Sequence, residues 1–110
     1  MTTQKSTNLI DEPKNTELEQ WISQAWVHHV NKEYSQSESL FRQALKAYPD
    51  SEEAAYGLGL SLKQSNHPQE AIQSFQTALK LLENSTTKED SARWAMLRHL
   101  SNAHISMLSA

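Results

Sequence analysis

The chain has 110 residues, about one small domain, and its 10 Lys and Arg against 13 Asp and Glu leave a net charge of −3. That mild acidity argues against a nucleic-acid partner, which calls for a basic face. The absence of cysteine excludes disulfides, thiolate metal sites and a cysteine nucleophile.

No apolar run approaches the roughly 20 residues needed to span a membrane. Met1 to Asn8 is polar and lacks the apolar stretch of a secretory signal. Residues 1–15 read as a flexible tail: polar, interrupted at Pro13, with Leu9-Ile10 as a lone apolar pair. Thr16-Glu17-Leu18-Glu19 has the form of a capping box and predicts a helix over about 17–31. Ser35-Gln36-Ser37-Glu38 is a second box, opening a helix that runs to about Tyr48, where Pro49 stops it. Asp50-Ser51-Glu52-Glu53 starts a third helix that ends near Ser65. Pro68 suits the first turn of a fourth, where its missing N–H costs nothing, and that helix extends to about Glu83. Asn84-Ser85-Thr86-Thr87 reads as a loop, and a fifth helix covers about 88–108, with Glu89 and Asp90 at its positive end. No segment alternates apolar and polar residues with period 2, so no strand is expected.

Charge is uneven. Residues 1–55 hold five basic and nine acidic residues, net −4, and residues 56–110 hold five and four, net +1. The imbalance reads as a solvated acidic face rather than a steering field.

The strongest signal is internal. Residues 18–51 and 52–85 align without gaps at a shift of 34, so Phe41 meets Phe75, Ala44 meets Ala78, and Leu45-Lys46 meets Leu79-Lys80. A fixed period of this size marks a helical array. With Leu58-Gly59, Ala71, Phe75 and Ala78 in the second unit, and Trp21, Ala25, Tyr34, Phe41, Ala44 and Pro49 in the first, the chain resembles the tetratricopeptide repeat family. It departs from that pattern at Gln24, His28 and Ser37, and at Ala55, Leu62 and Glu83. Small residues are needed where helix axes approach closely, and aromatics fill the gaps beside them, so the pattern is one of packing.

The resemblance implies an all-α fold, a right-handed superhelix of antiparallel helix pairs with five helices in all. Repeat one is 18–51, repeat two 52–85, and a capping helix over 88–108 completes a domain from 16 to 110. Trp94, Leu97 and Ser101 stand at the first-helix positions of a partial third unit. Trp94, Leu97, Ile105 and Leu108 form its expected buried stripe.

The resemblance also implies that the first helix of each pair lines a concave face and that the chain binds another protein or peptide there. Helical phase then gives a candidate partner-binding groove of Ile22, Trp26, His29, Val30, Tyr56, Leu60, Lys63, Met96 and His99. Its apolar members mark either an interaction site or a self-association site. They can also pack internally, Trp26 and Ile22 against Tyr56 and Leu60. The groove lacks the basic clamp with which some relatives hold a chaperone's terminal carboxylate: Ile22-Ser23, Gly57 and Met96 stand there. An apolar or amphipathic segment suits it better.

Catalysis and cofactors are not expected. No histidine–acid pair has telling spacing, and no glycine-rich phosphate loop exists. No metal site is expected either. His28 and His29 are adjacent and diverge by about 100° on a helix, and His104 lies five residues after His99, a poor spacing for shared ligation. The sequence therefore reads as a non-catalytic, cytoplasmic interaction module, with a homodimer using the same apolar face as the alternative.

Overall fold

With two glycines and three prolines in the whole chain, little interrupts helical hydrogen bonding. The structure, a computed structural model, describes residues 13–84 and 91–109. Five helices form there: α1 (Pro13–Val30), α2 (Tyr34–Ala47), α3 (Glu52–Gln64), α4 (Pro68–Glu83) and α5 (Ser91–Ser109). Among the described residues there is no strand. The expected tail through residue 12, with Leu9-Ile10, lies outside the described residues, as do Ser85-Thr86-Thr87 of the expected loop and the acidic pair Glu89-Asp90.

Both predicted capping boxes are corrected. Helix α1 starts at Pro13, so Thr16 already lies inside it. Proline is at home in a first turn, and here it opens the helix that it was expected to precede. Helix α2 starts at Tyr34, with Glu33 at the cap and no side-chain cap bond, so Ser35 is also helical. The Glu33 carboxylate instead meets His28 Nδ1 at 2.7 Å across the turn. Ser51 does cap α3: its hydroxyl accepts from the Ala54 N–H at 3.2 Å. Glu52 and Glu53 follow in the first turn, where negative charge is favoured.

The early start of α2 has a cause in the turn before it. Lys32 is left-handed, φ 64°. The Lys32 N–H donates to His29 O at 3.0 Å and the Glu33 N–H to His28 O at 2.8 Å, closing the helix end with paired bonds of the Schellman type. The same turn recurs 34 residues on. Asn66 has φ 68°, its N–H donates to Lys63 O at 3.2 Å, and the His67 N–H donates to Leu62 O at 2.8 Å. Tyr34 and Pro68 then begin the second helices at equivalent places.

Short connections force neighbouring helices to run antiparallel. Helix α1 packs on α2, α2 on α3, α3 on α4 and α4 on α5, with a smaller contact between α1 and α3. The core holds the repeat-pattern residues Ala25, Phe41, Ala44, Ala55, Leu58, Leu62, Ala71, Phe75, Ala78 and Leu97, joined by Ile22, Ala54, Tyr56 and Leu82. Trp94, Ile105 and Leu108 pack against it from α5.

Two phenyl rings organise the stack. Phe41 and Phe75 are fully buried. A Cβ at Gly57 would overlap the Phe41 ring of the preceding unit. A Cβ at Gly59 would lie 2.7 Å from Phe75 in its own unit. Glycine at these two places is therefore a requirement of close approach, since a methyl would have to displace an aromatic ring. Beside them the Ser37 and Ser61 hydroxyls meet at 2.5 Å, fully buried. Each satisfies a group that would otherwise cost about 1–3 kcal/mol.

Candidate protein-binding face

The first helices α1, α3 and α5 are tied to one another by side chains, and those ties define a common face. Glu53, in the first turn of α3, is its centre. Its Oε2 accepts from Trp26 Nε1 of α1 at 3.0 Å, and its Oε1 accepts from Arg93 Nη2 of α5 at 2.9 Å. Hydrogen bonds to a charged partner contribute about 1.5–3 kcal/mol when buried; Glu53 and Arg93 are half-exposed, so the Arg93 contribution is smaller.

Lower on the same face, Lys63 of α3 donates to His104 Nδ1 of α5 at 3.1 Å, and Tyr56 OH stands 3.5 Å from His104 Nε2. The His104 ring stacks on Phe75, centroids 4.9 Å apart and planes 12° apart. Burial lowers the His104 pKa, with the Lys63 charge as the second cause. Burial likewise raises that of Tyr56.

The nine residues expected in the groove separate into groups. Ile22 and Tyr56 are only 8% exposed and belong to the core. Trp26 is half-buried: its ring lies edge-on to Phe41 at 4.9 Å and its N–H is taken by Glu53. His29 is held between Trp26 and Tyr34, at ring distances of 5.6 and 5.3 Å. Its Nδ1 is buried with no hydrogen-bond partner among the described residues, and burial lowers its pKa. Leu60 packs on the core with part of its surface open, and Lys63 is half-exposed. Val30 is 75% exposed, Met96 is 54% exposed, and His99 is exposed on α5. The face thus brings Trp26 and His29 together on α1, and Tyr56 and Lys63 together through His104. Val30 and Met96 make none of these ties.

Sequence reasoning placed Glu53 of α3 in the groove but did not foresee the ties that knit this face, and it left Arg93 and His104 out. Glu53 and His104 make contacts 27 to 48 residues away in sequence, which no local pattern signals. Arg93 lies 40 residues from Glu53. Among the described residues no group of three or more His, Asp or Glu is gathered to hold a metal ion. No helix among them is long and apolar enough to cross a membrane. Among the described residues, an open depression runs along α1, lined by Thr16, Glu19, Gln20, Ser23 and Gln24, and another is lined by Arg42, Glu70 and Thr77.

Compared with known proteins, residues 52–85 match the family model described as Tetratricopeptide repeat. These residues are α3, α4 and the turn between them, with the residue after α4's cap. The match and the stack of five helices are consistent with a tetratricopeptide repeat protein, a helical scaffold of the protein-binding, generally non-catalytic kind. No curated protein matches the chain.

Proposed function

We propose, from a tetratricopeptide repeat at 52–85 set within five stacked helices, that the chain is an adaptor or chaperone-like module. It seats an apolar or amphipathic segment of another protein on the face of α1, α3 and α5. The observation that supports this reading is the exposure of Val30 on α1 and Met96 on α5, with Trp26 and Leu60 only partly buried. Exposed apolar side chains accompanied by Lys63 and His99 suit an amphipathic helix or extended peptide. A cytoplasmic setting belongs to the same proposal, since a cysteine-free chain fits a reducing compartment.

The test is a panel of amphipathic 15-residue peptides titrated by Trp fluorescence. Val30→Glu with Met96→Glu is predicted to weaken the best binder at least about tenfold, or 1.4 kcal/mol. Thr77→Glu, on exposed surface of α4, leaves binding unchanged. Binding insensitive to the paired substitution, or no binding across the panel, overturns the reading.

A second reading is favoured by Met96 and Met107, both more than half exposed, with half-buried Leu100 and Ala103 between them on α5. In this reading the chain homodimerises through that apolar surface. Sedimentation equilibrium giving monomer mass at high micromolar concentration removes it.

A further inference from the structure

We propose that His104 is an acid-sensitive latch: its neutral ring holds the last two turns of α5 against α3 and α4, and protonation releases them. The argument begins with proton accounting. A lysine ammonium has three donors and no acceptor. The 3.1 Å contact between Lys63 Nζ and His104 Nδ1 therefore requires a lone pair on Nδ1. The ring proton then resides on Nε2, which faces Tyr56 OH. A second proton has only Nδ1 to occupy, and there it would point at the ammonium.

Among the described residues nothing around the ring compensates. Helix α3 presents Lys63 and Tyr56, one a cation and the other a neutral phenol. Helix α4 presents the uncharged ring of Phe75. On α5 itself the nearest titratable or charged groups are His99 and Arg98, both exposed, and Ser91–Ser109 contains no carboxylate. Glu53, the acid of this face, already serves Trp26 and Arg93. An imidazolium gains some attraction to the face of Phe75, but repulsion by an ammonium in hydrogen-bond contact outweighs it. Burial and Lys63 act in the same direction, and both hold the His104 pKa below its ordinary value of 6.5.

Release is confined to one end because α5 has other anchors in its first half. Trp94 Nε1 donates to Leu82 O at 2.7 Å, Arg93 pairs with Glu53, and Leu97 is buried. Beyond Ser101 the anchors are His104, Ile105 and Leu108, the last two only partly buried. Met107 and Ala103 sit on the half that moves. An effect on a bound segment rests on the function proposed above; the release itself does not.

The test uses the full chain. Imidazole resonances give the His104 titration, and amide hydrogen exchange at pH 7.5 and 5.5 gives the docking. His104 is expected to titrate below 6.5. Protection of amides 103–109 is expected to fall between pH 7.5 and 5.5 as His104 takes up its second proton. Amides 94–98 and those of α2 keep theirs. His104→Gln accepts from Lys63 without titrating, so its protection is independent of pH. Lys63→Met raises the titration point and reduces the loss, and it carries the test alone if His104→Gln does not fold. Titration of His104 at or above 6.5 overturns the proposal. So does a pH-dependent loss that persists in His104→Gln. Peptide binding that ignores pH while the exchange responds counts against the proposed function and leaves the latch standing.

Discussion

Helices α1 and α3 occupy equivalent places in units 34 residues apart, yet their surroundings differ. Every residue from Ala54 to Leu62 except Leu60 is buried, whereas α1 buries one side. The contrast is sharpest at one pair of equivalent positions: Val27 is 57% exposed, and Ser61 is completely buried. Hydrophobicity alone would order them the other way. Helix α3 lies between α2 and α4, so both its flanks become helix–helix contact, and Ser37 is there to satisfy the buried hydroxyl. Helix α1 has α2 and an edge of α3, and its far side carries Ser23 and Val27 into the open. Burial in such an array follows from the neighbours a helix has as much as from its own sequence.

Substitutions at equivalent positions test that difference. Gly57→Ala is expected to lower stability by about 1–3 kcal/mol, because its methyl meets the fully buried Phe41 ring. Ser23→Ala, at the same place in α1, should fall within about 0.5 kcal/mol. Denaturant unfolding measures both, and equal costs would break the comparison.

Ser37→Ala removes one hydroxyl of a buried pair and strands the other, at a cost of about 1–3 kcal/mol. Adding Ser61→Ala should restore much of the loss. Ser101 is as buried as Ser61, but its hydroxyl has no partner among the described residues. Ser101→Ala is therefore expected to be neutral or stabilising by the same assay.

The turns give a smaller effect. Lys32→Gly should raise stability by up to about 1 kcal/mol, since a lysine at φ 64° bears the left-handed penalty. Asn66→Gly should change it by only a few tenths, because asparagine tolerates that region.

The smallest effect concerns pH. His29 in the first unit and His104 at the far end both have lowered pKa values, each first through burial. The unfolded chain then holds more protons than the folded one as pH falls, so stability is complete above 6.5 and declines below it. Melting temperatures at pH 7.5 and 5.5 check this. In His104→Gln the slope should shrink to the share that belongs to His29.

The fold was largely legible because its signals are local and repeated. Pro68 fixed the start of α4, and the Phe41–Phe75 register fixed the units. The start of α2 was hidden because lysine gives no hint of a left-handed turn. The hint lay 34 residues on, in Asn66, where the same turn has a residue that favours it. The site was less legible. Periodicity assigns a helix one buried face, so it could not choose between groove and internal packing for Ile22 and Tyr56, which are in fact buried. His104 was weighed only as a metal ligand beside His99, while its actual partners lie 41 and 48 residues back in the chain.

The contact of Phe41 with Gly57 is the joint between one unit and the next, and its parts recur in sequence. A chain in which residues 52–85 occurred twice would set Phe75 against the second copy's glycine, as Phe41 now meets the first. One feature would be missing, because Ala71 stands where Ser37 does and has no hydroxyl to offer the copied serine. Ala71→Ser would supply it. The architecture therefore leaves length free in whole rungs: the ladder can be extended by one duplication and one oxygen atom.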